Sequence, residues 1–160
     1  MNDCSSKLLM AGKSGSAERP PPGTTARPRP SDHFAERGGT RFAGLHIVID
    51  LWGASGLDDA GMVERALRRA VVAAGATLLD LRLHRLEPTG GVSGMALLAE
   101  SHISIHTWPE HGYVAMDVFT CGESRPHDAA SVLCEAFSPE TIVMSEHRRG
   151  ALDGASEEKR

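Results

Sequence analysis

The sequence predicts an α+β fold: a two-layer sandwich in which an antiparallel or mixed β-sheet carries two helices on one face. Three observations predict it. Six segments between Arg41 and Arg148 read as strands, most of them by period-two alternation of apolar and polar residues. Two others repeat apolar residues at helical spacing. Four of the strands follow one another through short turns, which join antiparallel neighbours. The expected order is β-α-β-β-β-β-α-β, and two amphipathic helices suffice to cover one sheet face.

The first strand is GLHIVIDLWG, with Leu45, Ile47, Ile49 and Leu51 on one side and His46, Val48, Asp50 and Trp52 on the other. Gly53 and Gly56 end it. From Leu57 to Ala74 the period becomes helical: Val63, Leu67, Ala70, Val71 and Ala74 form a stripe, and Glu64, Arg65, Arg68 and Arg69 face water. Asp58 and Asp59 suit its positive N-terminal end and Gly75 its C-terminal cap. In ATLLDLRLHRLEP, Leu79, Leu81 and Leu83 are expected inward, and Asp80, Arg82 and His84 outward. After the Thr89-Gly90-Gly91 turn come VSGMALLAE and two further strands, His102–Trp108 and Tyr113–Phe119. Pro126 suits the first position of a second helix, with Ala129, Val132, Leu133, Ala136 and Phe137 as its stripe, and TIVMSE closes the sheet. Val114, Met116 and Val118 alternate with Tyr113, Ala115 and Phe119, so both faces of that strand carry apolar groups. The face without helices is therefore expected to pack against a second copy of the chain.

Residues 1–40 read as a disordered extension rich in Pro, Gly and Ser, because SAERPPPGTTARPRPSDHFAERGGT has few apolar groups whose burial would offset ordering. Its PPPG and RPRP pieces have the composition of polyproline ligands, although a solvated tail is the simpler reading. Residues 149–160 read as a polar tail. A net charge of −4 without a dense basic patch argues against nucleic acid as a partner. No apolar run reaches the ~18 residues of a membrane span, and no secretory leader is recognisable. Three cysteines, Cys4, Cys121 and Cys134, without CxxC spacing, disfavour a disulfide framework and a zinc site, and suit the reducing cytoplasm.

The densest chemistry lies in AESHISIHTWPEHGYVAMDVFTCG, residues 99–122. His102 and His106 are four apart on a strand, ~13 Å along it, too far to share a metal unaided. No G-x-S-x-G elbow surrounds Ser101, and the TGGVSG loop lacks a Walker lysine. What the residues do offer is an internal reaction. A serine hydroxyl in a strained turn can attack the preceding carbonyl, here that of Glu100, and the ester can eliminate if a base removes the serine α-proton. Chain cleavage then leaves a dehydroalanine that hydrolyses to a pyruvoyl group. His102, His106, Ser104 and Ser93 are the available polar groups.

ESHISIHTWPE followed by YVAMDVFTCG resembles the signature of the bacterial S-adenosylmethionine decarboxylase proenzymes, the small prokaryotic class of pyruvoyl enzymes, and the resemblance runs from about Gly44 to Arg148. It implies self-cleavage between Glu100 and Ser101 into a β chain 1–100 and an α chain 101–160, whose Ser101 becomes the pyruvoyl cofactor. It implies Ser93 and His106 as processing residues, Cys121 as proton donor in decarboxylation, and Glu110 as the carboxylate that holds the substrate ribose. It further implies a homodimer of cleaved protomers with sites at the interface, no metal and no pyridoxal phosphate. The ketone would form a Schiff base with the amine of S-adenosylmethionine and act as electron sink, yielding the aminopropyl donor for spermidine. The stretch Arg41–Arg148 contains no lysine for a pyridoxal phosphate imine. One departure is visible. Leu86 stands where the family commonly has an adenine-stacking aromatic in F-x-P-x-G-V-S, and the turn has one extra residue. A stacking contribution of ~1 kcal/mol is lost with the ring. Arginine or ornithine decarboxylation on the same fold, and a non-catalytic binding relative, are the alternatives.

Overall fold

The computed structural model describes residues 8–10 and 34–152. The strands are β1 (Leu8–Met10), β2 (Ala35–Arg37), β3 (Thr40–Phe42), β4 (Gly44–Trp52), β5 (Leu78–Arg85), β6 (Val92–Leu98), β7 (Ser101–Trp108), β8 (Tyr113–Cys121) and β9 (Thr141–Arg149). Helix α1 (Ala60–Ala74) lies between β4 and β5, and α2 (Pro126–Phe137) between β8 and β9. From β4 onward the order is β-α-β-β-β-β-α-β, as the periodicities require. The sheet order is β1-β9-β4-β8-β7-β6-β5. Pairing is antiparallel throughout except for β1, which joins β9 in parallel, so the sheet is mixed.

Both helices cover the same face. Ile47, Ile49, Leu51, Ile103, Ile105 and Met116 point from the central strands into a core closed by Val63, Leu67, Leu133 and Phe137. α1 begins at Ala60, later than the Leu57 expected, because Asp59 caps it by accepting from the Met62 N–H at 3.0 Å. Leu57 is buried in the loop before it. Gly75 ends the helix at φ 69°, where its backbone N–H reaches the carbonyls of Val71 and Val72. Pro126 opens α2 as expected.

Two expectations are corrected. Leu79 does not face inward: it is 60% exposed. The register steps from Leu78↔Leu98 to Asp80↔Leu97, so Leu79 is the extra residue of a bulge and Leu78 takes the inward position. Nor is all of 1–40 without structure. β2 and β3 form a hairpin across Gly38-Gly39, both at positive φ (60° and 75°), the geometry a two-residue turn of this hand demands. Ala35 and Phe42 of this hairpin bury against Leu45, and the Arg148 guanidinium lies 5.4 Å from the Phe42 ring centre. Those apolar contacts are the compensation that composition alone seemed to deny. β1 adds a second ordered piece. At the other end, Leu152 donates its N–H to the Arg41 carbonyl at 2.8 Å, past the start expected for the polar tail. The PPPG and RPRP pieces and residues 153–160 lie outside the described residues.

Candidate active site

The β6–β7 connection is the tightest in the sheet. Leu98 pairs with Ser101, which leaves Ala99 and Glu100 as a two-residue loop. Loops of this length call for left-handed backbone, usually from Gly or Asn. Glu100 supplies it at φ 62°, a conformation that costs an L-residue with a Cβ about 1–2 kcal/mol. Ala99 donates its N–H to the Thr77 carbonyl at 3.0 Å, which ties the loop to the α1–β5 connection. Ser101 follows directly. It is 7% exposed, and its Oγ accepts the Cys121 N–H at 3.2 Å. The Glu100–Ser101 bond thus joins a carbonyl on strained backbone to a buried hydroxyl held in place.

Cys121 ends β8 beside this hairpin and opposite Gly44 of β4. Burial pushes its thiol above the usual range, and the negative charge of Glu100 pushes the same way. A cleft of about 540 Å³ opens here, lined by Glu100 and Cys121 together with the end of α1 at Gly75 and the approach to α2 at Arg125.

The other residues named from the sequence gather elsewhere. His106 Nδ1 lies 3.0 Å from Ser93 Oγ, the two facing each other across the β6–β7 ladder. Glu110 is carried by a single 3-10 turn, Pro109–His111, that follows β7, and Leu86 closes the β5–β6 loop by donating its N–H to the Gly91 carbonyl at 2.7 Å. His106 is five positions from Ser101 along β7, ~16 Å at strand rise. The two also point to opposite faces. Ser101 alternates inward with Ile103 and Ile105, while His106 alternates outward with His102 and Ser104. Ser101, Glu100 and Cys121 therefore form one group, and Ser93, His106, Glu110 and Leu86 a second, at opposite ends of the sheet.

Between them the helix-free face carries an ordered polar and aromatic surface. Arg149 has only donors, so His46 Nδ1 accepts from it at 3.1 Å and His46 Nε2 donates to Asp117 at 2.9 Å; Ser104 also donates to Asp117, at 2.9 Å. Phe119 lies between the rings of His46 and His102, 5.7 and 5.5 Å away. Burial lowers the His102 pKa and so does neighbouring His46, against the opposing pull of Asp117. Nearer the Glu110 end, Tyr113 stacks between Trp52 (4.4 Å) and Trp108 (5.1 Å) and donates its hydroxyl to Asp50 at 2.5 Å. Burial and that bond push its phenol up to about 12. Trp52 is 47% and Trp108 39% exposed within one chain.

Sequence reasoning missed Asp117, Tyr113 and Thr107 as organising residues. For Thr107 a signal exists: it is a hydroxyl in the inward phase of β7, behind Ile103 and Ile105. For Asp117 and Tyr113 the partners are 13 to 71 residues away in the chain, and no local pattern shows them. Among the described residues no group of three His, Cys, Asp or Glu side chains could hold a metal ion, and no helix is long and apolar enough to cross a membrane.

The helix-backed sheet is the fold of a class of decarboxylases with a solved structure. The solved structure of the adenosylmethionine decarboxylase from Aquifex aeolicus VF5 superposes on this chain with a TM-score of 0.64 at 35% identity, covering 73% of this chain and 98% of that one. The chain belongs to the S-adenosylmethionine decarboxylase family, whose model matches residues 45–150. Among curated relatives, the S-adenosylmethionine decarboxylase proenzyme of Thermomicrobium roseum is 50% identical over 110 residues, 68% of this chain and 95% of that protein. The proenzyme of Methanococcus maripaludis strain C7 is 49% identical over 113 residues, 69% and 92% of the two chains.

Proposed function

We propose that the chain cleaves its own Glu100–Ser101 bond and then, as a pyruvoyl enzyme, decarboxylates S-adenosylmethionine. The observation that carries this reading is the left-handed Glu100 held directly before a buried Ser101 hydroxyl. Ser101 Oγ attacks the Glu100 carbonyl carbon, and the C–N bond breaks as the nitrogen takes up the hydroxyl proton, which leaves an ester. Removal of the Ser101 α-proton expels the Glu100 carboxylate from Cβ, and the unsaturated residue takes up water and releases ammonia. Residues 1–100 become the β chain, and residues 101–160 the α chain with a pyruvoyl at its start.

The residues present fit that group. When formed, a pyruvoyl supplies a ketone that accepts the electrons released as an α-amino acid loses CO₂. Cys121, raised by burial and by Glu100, keeps its proton on Sγ at neutral pH and suits delivery to the substrate α-carbon rather than nucleophilic attack. The Ser93–His106 pair suits proton transfer during processing, and Glu110 is free to accept both ribose hydroxyls. Leu86 offers an apolar surface to the adenine, and the exposed Trp108 ring stands on the same side of the sheet.

The division of these residues between two ends of the sheet argues for a homodimer. A two-fold contact between helix-free faces brings the Ser101 end of one protomer to the His106 end of its partner, and symmetry makes two such sites at once. Exposed Trp52, Trp108, Met95 and Leu97 are the apolar area it would cover. A reaction that needs Cys121 as a thiol suits the cytoplasm.

The test is twofold. Intact mass is expected to give fragments 1–100 and 101–160, the latter lighter than its serine form by the mass of ammonia, and Ser101→Ala a single uncleaved chain. CO₂ release is then compared for S-adenosylmethionine, ornithine and arginine. A full-length wild-type chain with an intact serine rejects the reading, and preferred turnover of ornithine or arginine rejects the substrate.

A further inference from the structure

Thr107 is 4% exposed and faces the helix layer, where a valine would suit the packing as well. Its hydroxyl makes two short bonds to backbone. It donates to the Leu57 carbonyl at 2.7 Å and accepts the Val92 N–H at 2.7 Å. Three segments that no ladder joins at this point therefore meet on one oxygen: the end of β7, the first residue of β6, and the loop from β4 to α1. That same loop donates the Ala54 N–H to the Gly112 carbonyl at 2.9 Å, which holds the far side of the turn bearing Glu110. The turn starts two residues after Thr107. Gly91 packs so closely that a Cβ there would sit 2.6 Å from the Thr107 carbonyl oxygen and 3.6 Å from Pro109 Cδ, so the neighbouring backbone is already without slack.

We infer that Thr107 is a positioning residue for substrate binding: its hydroxyl fixes the turn that presents Glu110 and Trp108. The inference rests on the proposed decarboxylase reading. Val92 is fully buried and so is Leu57. Removing the hydroxyl leaves a carbonyl and an N–H in the interior without partners, and the loop and turn must move to find water. The reacting groups at Ser101 and Cys121 lie at the opposite end of the sheet. The Ser93–His106 pair sits within the β6–β7 ladder and keeps its register. The damage therefore falls on binding shared by ground and transition states, which appears in KM.

Cleaved wild-type protein, Thr107→Val, Thr107→Cys and Thr107→Ser are assayed for CO₂ release from S-adenosylmethionine. Thr107→Val is expected to raise KM ~10-fold with kcat within ~2-fold and self-cleavage complete. Thr107→Ser, which keeps both bonds, restores KM, and Thr107→Cys, a weak donor and acceptor, falls between. Should Thr107→Val fail to fold, the Cys and Ser variants still carry the test: equal KM values overturn the inference. An unchanged KM in folded Thr107→Val, or a loss confined to kcat, overturns it too. Wild-type protein that cleaves but releases no CO₂ from S-adenosylmethionine instead rejects the underlying reading.

Discussion

Replacing Glu100 with glycine separates backbone strain from side-chain chemistry. Glu100 holds φ at 62° between a hydrogen-bonded Ala99 and a buried Ser101. A Cβ in that conformation costs about 1–2 kcal/mol, whereas glycine adopts it freely. If cleavage of the Glu100–Ser101 bond releases that strain, its removal stabilises the ground state but not the transition state. At 1.36 kcal/mol per tenfold, the rate falls by ~5- to 30-fold. Folding responds in the opposite sense. Glycine loses roughly 0.5–1 kcal/mol more to chain entropy, so the net gain in stability is about 0–1.5 kcal/mol. The cleavage rate is read as fragment against time on denaturing gels after refolding. Stability is read by thermal unfolding in the Ser101→Ala background, where no chain is cut. Glu100→Gln keeps the strain and removes the charge, so it is expected to cleave at nearly the wild-type rate. Equal rates for Glu100→Gly and wild type would refute the role of strain, and equally slow cleavage in Glu100→Gln and Glu100→Gly would assign the effect to the carboxylate both lack.

Two further outcomes follow from the site. As the proposed proton donor, Cys121 would work only while protonated, and its pKa is raised, so the alkaline fall in kcat is expected above the ordinary thiol range. Glu100→Gln removes the like charge and is expected to move that limb to lower pH; an unmoved limb disconnects Glu100 from the thiol, and an upward move reverses the sign. Co-expression of Ser101→Ala with His106→Ala is expected to cut the chain that carries His106→Ala, since the mixed dimer pairs its Ser101 with the partner's intact imidazole. Neither variant is expected to cleave at the wild-type rate alone, and failure of the mixture to do better than His106→Ala by itself rejects sites shared between protomers.

Period-two and helical patterns were enough to read β4 to β9 and both helices, because each of these elements buries one regular stripe. They failed where register breaks or where a few contacts suffice. Leu79 looks inward by alternation, but one bulge at the edge strand turns it out and substitutes Leu78. The Gly38-Gly39 hairpin hid in a stretch judged by average composition, though three apolar residues, Ala35, Phe42 and Leu45, account for its small core. At the site, the residues pointed to Ser101 with nearby His and Ser groups, and the family resemblance added Cys121 and Glu110, yet no linear pattern says that they fall into two groups. That division follows from strand parity and length together: an odd separation on a strand reverses the face, and five residues take up much of β7.

On the proposed reading, the same parity separates the scissile bond from its base within one chain. A hairpin that strains its scissile bond and also carried an adjacent base would be reactive as soon as β6 and β7 closed. Here the hairpin, its hydroxyl and the thiol stand at one end of the sheet, and the imidazole with its serine at the other, facing away. Within one protomer the left-handed Glu100 and the Ser93–His106 pair stay apart. In the proposed dimer, a partner laid across the helix-free face and running in the reverse direction would bring its His106 end to the Ser101 end of this chain. In that proposed arrangement processing would be coupled to assembly. The polar network of Arg149, His46, Asp117 and Ser104 crosses the middle of that face, and its bonds are satisfied within one chain. Burying it against a second copy therefore leaves few polar groups without partners, which is the condition for a face this polar to close at all.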